Sequence, residues 1–575
     1  MMNTEANFSY SFSSLKNRCR SVDFRLAFYF PQNIKNNFST SLILKCGIVL
    51  FTVLLNDFVT AQQVSTAIPK QGKSSADNYA TLYKNFKNPP QSSHPWVFWY
   101  WMHASVSKAG ITADLEAMKE VGIGGAYLMP IKDTVDSISI KPAMRQLSPE
   151  WWELVKHSLT EAKRLGLQIG MHISDGFALA GGPWITPELS MQKIVWADTT
   201  ITGGREFKAI LPQPKMNAGY YKDVAVYAFP TMVDASYTTE KIIPRVSTST
   251  GLDAQYLMKR DNRQTFGSND SCWIQYEFDQ PFICRQIIIR TAGNNFQSHR
   301  LLIEASDDGK NFYSIGRLQP PRHGWQDTDA DVTHLIKPTT ARFFRFVYNK
   351  AGSEPGAEDL DAAKWNPSLR IRGINLSGAS GIHQYEGKNG NVWRVSERTT
   401  KDQLPDTDCI PKNQLIDITQ YLSEDGHLTW IAPEGKWTIL RMGHTSTGQT
   451  NATGGAGKGL ECDKFNPDAI RLQFNNWFGE AVRQAGPTLT RDVLTVMHVD
   501  SWECGSQNWS PVFREQFQKR RGYDPLLYLP VMAGIPVISN EFSEAFLYDI
   551  RNTIAELVVD QFYNVLAEEA KSKGV

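Results

Sequence analysis

The chain has 575 residues, with 60 Lys and Arg against 59 Asp and Glu, for a formal net charge of +1. This balance argues against a nucleic-acid binder, which carries a basic excess or patch. At about 100–200 residues per domain the length predicts about three domains. Aromatics make up 11 % of the chain, including 16 Trp. Most serve a large core, but flat rings also line sugar clefts, where they stack on the apolar face of a pyranose.

From the N-terminus, the first signal is an apolar run from Ser41 to Val59. Its uninterrupted part, Cys46 to Leu55, is too short to span a bilayer but fits the apolar region of a signal peptide. Lys35 and Lys45 supply positive charge ahead of it, and Val59 and Ala61 fill the small-residue positions. Cleavage is expected near Ala61–Gln62, leaving residues 1–61 outside the fold and the mature protein periplasmic or secreted. An uncleaved anchor is the alternative, and no further membrane contact is expected. Five Cys follow the cleavage point: Cys272, Cys284, Cys409, Cys462 and Cys504. No CxxC pair occurs, which excludes a zinc ribbon. Cys272 and Cys284 are read either as a disulfide or as two buried thiols.

A polar linker covers 62–91. The apolar run His94-Pro-Trp-Val-Phe-Trp-Tyr-Trp-Met102 then predicts a strand buried on both faces. Ser107 caps a helix, Gly125–Ile131 is a second strand, Ser148-Pro149 opens a helix ended by Gly166, and 167–174 is a third strand. This alternation predicts a parallel α/β unit over 92–196. From 197 to 434 short alternating strands predict an all-β insertion. Within it, about 250–380 resembles a discoidin-like (galactose-binding-like) β-sandwich, carried by the hairpin Ser306-Asp-Asp-Gly-Lys-Asn-Phe312. Barrel features are expected to resume over 435–575. There, strands are predicted at 436–443 and 493–500, helices at 466–484 and from Ser510-Pro511, and a long helix at 541–573. Five such strands fall short of the eight of a closed (β/α)8 barrel, so the chain reads as an incomplete barrel cut before strand six. An open five-stranded sheet is the alternative. No Gly-rich phosphate loop follows the first strand, which disfavours nucleotide binding.

In such barrels chemistry sits at the C-terminal ends of strands. The expected strand ends carry Trp101 and His103, His172 and Asp175, His444, and His498 with Asp500, Trp502 and Glu503. Glycoside hydrolysis needs one carboxylic acid for the leaving oxygen and one carboxylate as base or nucleophile. Asp500 and Glu503 are the sharpest pair, and Trp502 is expected to raise the Glu503 pKa by desolvation. The segment Gly454 to Asp463 combines glycines with Glu461 and Asp463. It reads as a close-approach loop, as a hard-cation site, or as a flexible surface turn.

Several stretches together resemble glycoside hydrolase family 106, the bacterial α-L-rhamnosidases. They are His94 to Met102, Gly110-Ile-Thr-Ala-Asp-Leu-Glu-Ala-Met-Lys119, Gly122-Ile-Gly-Gly-Ala126 and Gly181-Gly-Pro-Trp-Ile-Thr-Pro-Glu188. Gly459-Leu-Glu-Cys-Asp-Lys464, Asp500-Ser-Trp-Glu503 and Arg521-Gly-Tyr-Asp524 complete the set. The resemblance implies an inverting enzyme removing terminal α-L-rhamnose from plant pectin or glycoconjugates, and a calcium ion near the sugar hydroxyls. Glu503 aligns as the family's acid, with Glu461 as the competing assignment. A barrel glycosidase of other sugar specificity, or a non-catalytic carbohydrate-binding protein, are the alternative functions.

Overall fold

The computed structural model describes residues 75–131, 144–293, 295–323, 331–351, 367–451 and 455–575. The apolar run at 41–59 and its cleavage point lie outside them. Contacts divide the chain into units of residues 1–88 and 89–575. In the first unit, a helix α1 (Ser75–Lys87) stands where a linker was expected, and Tyr79, Leu82, Tyr83 and Phe86 are exposed on it.

The second unit begins as the sequence predicts. β1 (Trp96–Met102), α2 (Lys108–Glu120), β2 (Gly125–Ile131), α3 (Pro149–Leu165) and β3 (Gln168–His172) alternate, with the strands parallel. The helix ends are set locally. The Ser107 hydroxyl accepts from the Gly110 N–H at 3.1 Å and the Ser148 hydroxyl from the Trp151 N–H at 3.2 Å. Such caps are each worth about 1 kcal/mol. Gly166, at φ 68°, stops α3 in the left-handed conformation that glycine adopts without strain.

The chain then leaves the parallel sheet. β4 (Gln192–Thr202) and β5 (Tyr221–Pro230) belong to a four-stranded antiparallel sheet. Next come β6 (Cys272–Thr291), β7 (Leu302–Ser306), β8 (Asp331–Tyr348) and β9 (Leu369–Ser377), the main strands of a seven-stranded antiparallel sheet. Its core holds Tyr276, Phe282, Phe344 and Phe346. The predicted hairpin is held by Asp308, whose carboxylate accepts from the Lys310 and Asn311 N–H groups at 2.8 Å and from Asn311 Nδ2 at 2.7 Å. Those donors hold its pKa well below the usual carboxylate range. Cys272 and Cys284 are buried free thiols, not a disulfide. Both lie on β6, twelve residues apart, with an irregularity of register between them at Glu277–Phe282.

β10 (Lys436–Ser446) corrects the sequence reading. Expected as a barrel strand, it lies between β4 and β5 and is antiparallel to both. Its C-terminal half is buried throughout. A continuous apolar run marks burial on both faces but does not report strand direction.

α4 (Pro467–Asn476), α5 (Phe478–Asp492) and β11 (Leu494–His498) return the chain to the parallel sheet. The single helix expected at 466–484 breaks at Trp477. The sheet order is β1-β2-β3-β11, so four parallel strands replace the expected five, and a closed barrel is not formed among the described residues. α6 (Phe513–Arg521) starts later than Ser510. The long C-terminal helix consists of α7 (Asn540–Leu557), a π-helical turn at Val558–Tyr563 and α8 (Asn564–Ser572).

One face of the parallel sheet is closed by helices. Trp99, Trp101, Leu128, Ile169 and Met171 pack there with Leu115, Trp151, Leu159, Phe474 and Phe478. On the other face Phe98, Tyr127, Gly170 and Val496 stand in one row across the four strands. Gly170 makes that row possible, because a Cβ there would lie 2.8 Å from the Tyr127 ring and 3.2 Å from the Val496 Cβ. Gly170→Ala is therefore expected to destabilise the chain by about 1–3 kcal/mol, the usual cost of overpacking. Urea unfolding of the two proteins measures it; equal midpoints would show that the row has slack.

Candidate active site

Strand periodicity decides which side chains reach the open face. On β1 the odd positions, Trp99 and Trp101, enter the helix-side core, while Phe98 and Tyr100 are 51 % and 44 % exposed. Trp101, expected to contact substrate, is instead edge-on to Trp99 and Trp151 inside that core. The rings that line the open face are Phe98, Tyr100 and Tyr127, joined by Phe177, which lies edge-on to Tyr100. Parity along β1 carried this signal; total aromatic content did not.

At the C-terminal edge His172 and His498 stand side by side, paired in register, with ring centroids 5.2 Å apart. His172 is fully buried. Its Nδ1 faces the His498 carbonyl at 3.1 Å and its Nε2 the Ala178 carbonyl at 2.8 Å, and a neutral ring donates to one of them. Burial, reinforced by His498, pushes His172 down to about 4. His498 is half-buried, also lowered by burial, and packs against Tyr127 and Phe98.

The two carboxylates after β11 are tied by one hydroxyl. Ser501 Oγ lies 3.3 Å from Asp500 Oδ1 and 3.1 Å from Glu503 Oε1, and Asp500 also accepts from the Ser501 N–H at 2.6 Å. Asp500 is half-buried and Glu503 exposed. Trp502 does not cover Glu503, whose side chain is exposed. The Trp502 indole packs tilted against Trp393 with centroids 4.7 Å apart, meets Phe562 edge-on, and donates to the Gly505 carbonyl at 2.6 Å. Trp393 lies over a hundred residues away, and nothing local to either Trp predicted the pair. Phe562 belongs to the π-helical turn, a distortion that recurs at functional sites.

His103 follows β1 in the left-handed region, at φ 58°, and its N–H donates to the Ile131 carbonyl at 2.8 Å. A non-glycine residue there stores strain of about 1–3 kcal/mol, a feature concentrated at functional sites. Asp175 is fully buried, and the glycine-rich segment approaches it closely. A Cβ on Gly457 would lie 3.1 Å from Asp175 Oδ2 and 2.6 Å from Gln146 Oε1.

Glu461 and Asp463 are not on a surface turn; both are fully buried. Glu461 Oε2 accepts from Lys464 Nζ at 2.8 Å and from the Ala180 N–H at 3.0 Å. Lys464, itself fully buried, also donates to the Cys462 carbonyl at 2.8 Å and sits 5.4 Å from the Phe562 ring. Asp463 accepts from Gln507 Nε2, from the Ser510 hydroxyl and, at 2.9 Å, from the Phe465 N–H. Burial pushes it up to about 6. The Ser510 hydroxyl is therefore engaged with Asp463, and α6 begins at Phe513. Lys464, Gln507 and Ser510 were missed as partners because only the fold brings them together. Glu461 Oε1 is buried with no hydrogen-bond partner among the described residues, and among them no three His, Cys, Asp or Glu side chains converge as metal ligands.

His444 is not at a parallel-strand end. It lies on β10, where its Nδ1 donates to Gln192 Oε1 at 2.5 Å and its ring packs against Tyr220 and Trp509. Burial, with Lys222 adding to it, pushes His444 down to about 4.

Residues 87–575 match a family described as alpha-L-rhamnosidase, glycoside hydrolase family 106. A protein of Formosa agariphila, provisionally named a beta-glucuronidase, is 27 % identical over 494 residues, covering 86 % of this chain and 30 % of that protein. The rhamnosidase of Novosphingobium sp. PP1Y is 29 % identical with a TM-score of 0.68, over 86 % of this chain and 46 % of that one. The chain thus spans less than half the length of these two relatives.

Two outcomes follow from the buried charges. Lys464→Ala strands Glu461 without its cation, and a broken buried pair costs about 3–5 kcal/mol. The double replacement Glu461→Leu with Lys464→Met is expected to cost much less, as urea unfolding of both variants will show. His172 and His444 have folded pKa values below the ordinary 6.5, so the unfolded chain binds more protons between pH 6.5 and about 4. The stability they contribute is present above pH 6.5 and lost as pH falls toward 4. His444→Gln should flatten the wild-type loss across that window in urea titrations at stepped pH; an unchanged slope would show that His444 does not titrate with unfolding.

Proposed function

Because this chain belongs to glycoside hydrolase family 106, the alpha-L-rhamnosidases, we propose that it is a glycoside hydrolase acting on terminal α-L-rhamnosides, with Glu503 as general acid. The observation that carries this reading is the Asp500–Ser501–Glu503 chain, placed after a parallel strand and beside His498 at the end of an aromatic face. An exposed carboxylic acid on a loop can reach a glycosidic oxygen. The fully buried, Lys464-paired Glu461 has no such access and braces the loop instead.

Asp500 is the positioning partner. A single hydroxyl spans Asp500 and Glu503, whereas the two carboxylates of an inverting enzyme stand about 6.5–9.5 Å apart to admit water. For inversion the base is therefore a carboxylate on the opposite side of the sugar, distinct from Asp500. Phe98, Tyr100 and Phe177 supply apolar surface for the sugar ring, and the half-buried His498 supplies a neutral hydrogen-bonding group beside it, held in place by the buried His172.

The parallel sheet is proposed as one arc of a (β/α)8 barrel. Its support is that the four strands neighbour one another in chain order with their helices on one face, where a doubly wound sheet reverses order and places helices on both. Export to the periplasm or beyond is proposed from the apolar run at 41–59 and its small-residue cleavage positions.

The test is hydrolysis of p-nitrophenyl α-L-rhamnopyranoside and of a rhamnosyl disaccharide, with the product anomer followed by NMR. Glu503→Gln is expected to lower disaccharide kcat/KM by about 10²–10⁴, the usual contribution of general acid catalysis. Unchanged turnover would remove Glu503 from the role, and glycan binding without turnover by the wild type would favour a binding protein.

A further inference from the structure

A small cavity of about 210 Å³ lies among β7, the strand Tyr313–Arg317 that pairs with it, β8 and the segment that follows β9. Its floor carries two imidazoles, His334 of β8 and His383, which are 1 % and 5 % exposed with ring centroids 5.9 Å apart. Ile303, Ile315 and Ile336 supply an apolar wall. The exposed residues at the rim carry both signs of charge, Arg317 and Lys337 with Glu397. No lining residue belongs to the parallel sheet or to the loop that carries Glu503.

Hydrogen bonds fix what the floor offers. The Leu335 N–H donates to His383 Nδ1 at 3.0 Å, and the His383 N–H donates to Thr399 Oγ1 at 3.0 Å, which holds the ring in one place. Burial pushes His383 down to about 3, with Lys388 adding to it. Burial also holds His334 well below its ordinary value, reinforced by His383 and Arg394. Both rings are therefore neutral. With its Nδ1 lone pair engaged, His383 carries its proton on Nε2. That Nε2 and both ring nitrogens of His334 are buried with no hydrogen-bond partner among the described residues. The floor thus presents two N–H donors and one acceptor, and buried polar atoms are nearly always hydrogen-bonded.

A hydroxyl both donates and accepts, so neighbouring hydroxyls on one molecule match two donors and one acceptor. A metal ion would need a lone pair from each ring, and His383 has committed its own to Leu335. An anion would face the acceptor nitrogen of His334 and the Glu397 carboxylate at the rim. We propose that this cavity binds one ring of a neutral sugar, with its hydroxyls on His334 and His383 and its C–H face on the isoleucine wall. The volume lies below the roughly 300–1,000 Å³ of sites for drug-sized ligands, which limits the occupant to a single ring. The proposal does not rest on the rhamnosidase reading, because the cavity shares no residue with the Glu503 site.

The experiment follows the His383 Nε2–H resonance by NMR of the histidine-labelled chain during titration with L-rhamnose, D-galactose and D-glucose. Loss of the signal in His383→Gln assigns it. A saturable shift is expected with at least one of the three sugars. His334→Leu removes a ring whose nitrogens have no protein partner, and should weaken that binding about fivefold or more, the worth of the hydrogen bonds lost. Ile315→Trp narrows the cavity from its half-buried wall and should weaken it without touching the floor. Matching circular dichroism spectra will confirm that both variants fold. No shift with any of the three sugars, as for a cavity that takes water alone, would overturn the proposal, and so would affinity unmoved by either substitution. A shift produced by zinc chloride or sodium acetate and by none of the sugars would overturn it in favour of a metal or an anion site. The readout needs no turnover, so an absent rhamnosidase activity and an absent sugar cavity are told apart.

Discussion

The organisation of the site depends on the sidedness of one four-stranded parallel sheet. Helices α2, α3, α4 and α5 claim one face through Trp99, Trp101, Trp151 and their neighbours. The alternation of a strand then obliges every second side chain to project the other way. Phe98, Tyr100, Tyr127, His172 and His498 stand on that second face because Trp99, Trp101, Leu128, Ile169 and Met171 are anchored in the first. Burial of a large aromatic side chain is worth several kcal/mol, so the core, and not the site, fixes the register.

A second constraint is the buried Glu461–Lys464 pair. It joins the glycine-rich segment to the Ala180 loop and, through the ring of Phe562, to the π-helical turn against which Trp502 also packs. Asp463 does the same for the Gln507–Ser510 loop. Both carboxylates are buried and paired, and the contacts they make brace the loop that presents Glu503. The aromatic chain Phe562–Trp502–Trp393 continues from that loop, so one set of ring contacts supports the segment that carries Glu503.

What the sequence disclosed follows from how local each signal is. Helix caps at Ser107 and Ser148, the stop at Gly166 and the Asp308 hairpin depend on a few consecutive residues, and each formed as read. The parallel strands were legible as apolar runs between glycine turns. β10 was misassigned because an apolar run signals burial and says nothing of strand direction. His172, His498, Asp500 and Glu503 lie at or just after parallel-strand ends, as expected, because strand ends can be located from sequence. Trp101 was placed on the wrong face although parity was available. Trp393 and Lys464 were missed because their meaning comes from partners that only the folded chain supplies.

The most direct test of the account is the dependence of kcat/KM on leaving-group acidity for a series of aryl α-L-rhamnosides, measured on the wild type and on Glu503→Gln. A general acid matters most when the leaving group is poor. The account predicts a shallow slope for the wild type and a steep one for Glu503→Gln, the two lines converging at the most acidic phenols. Parallel lines would contradict it, because they would mean that Glu503 does not protonate the departing oxygen.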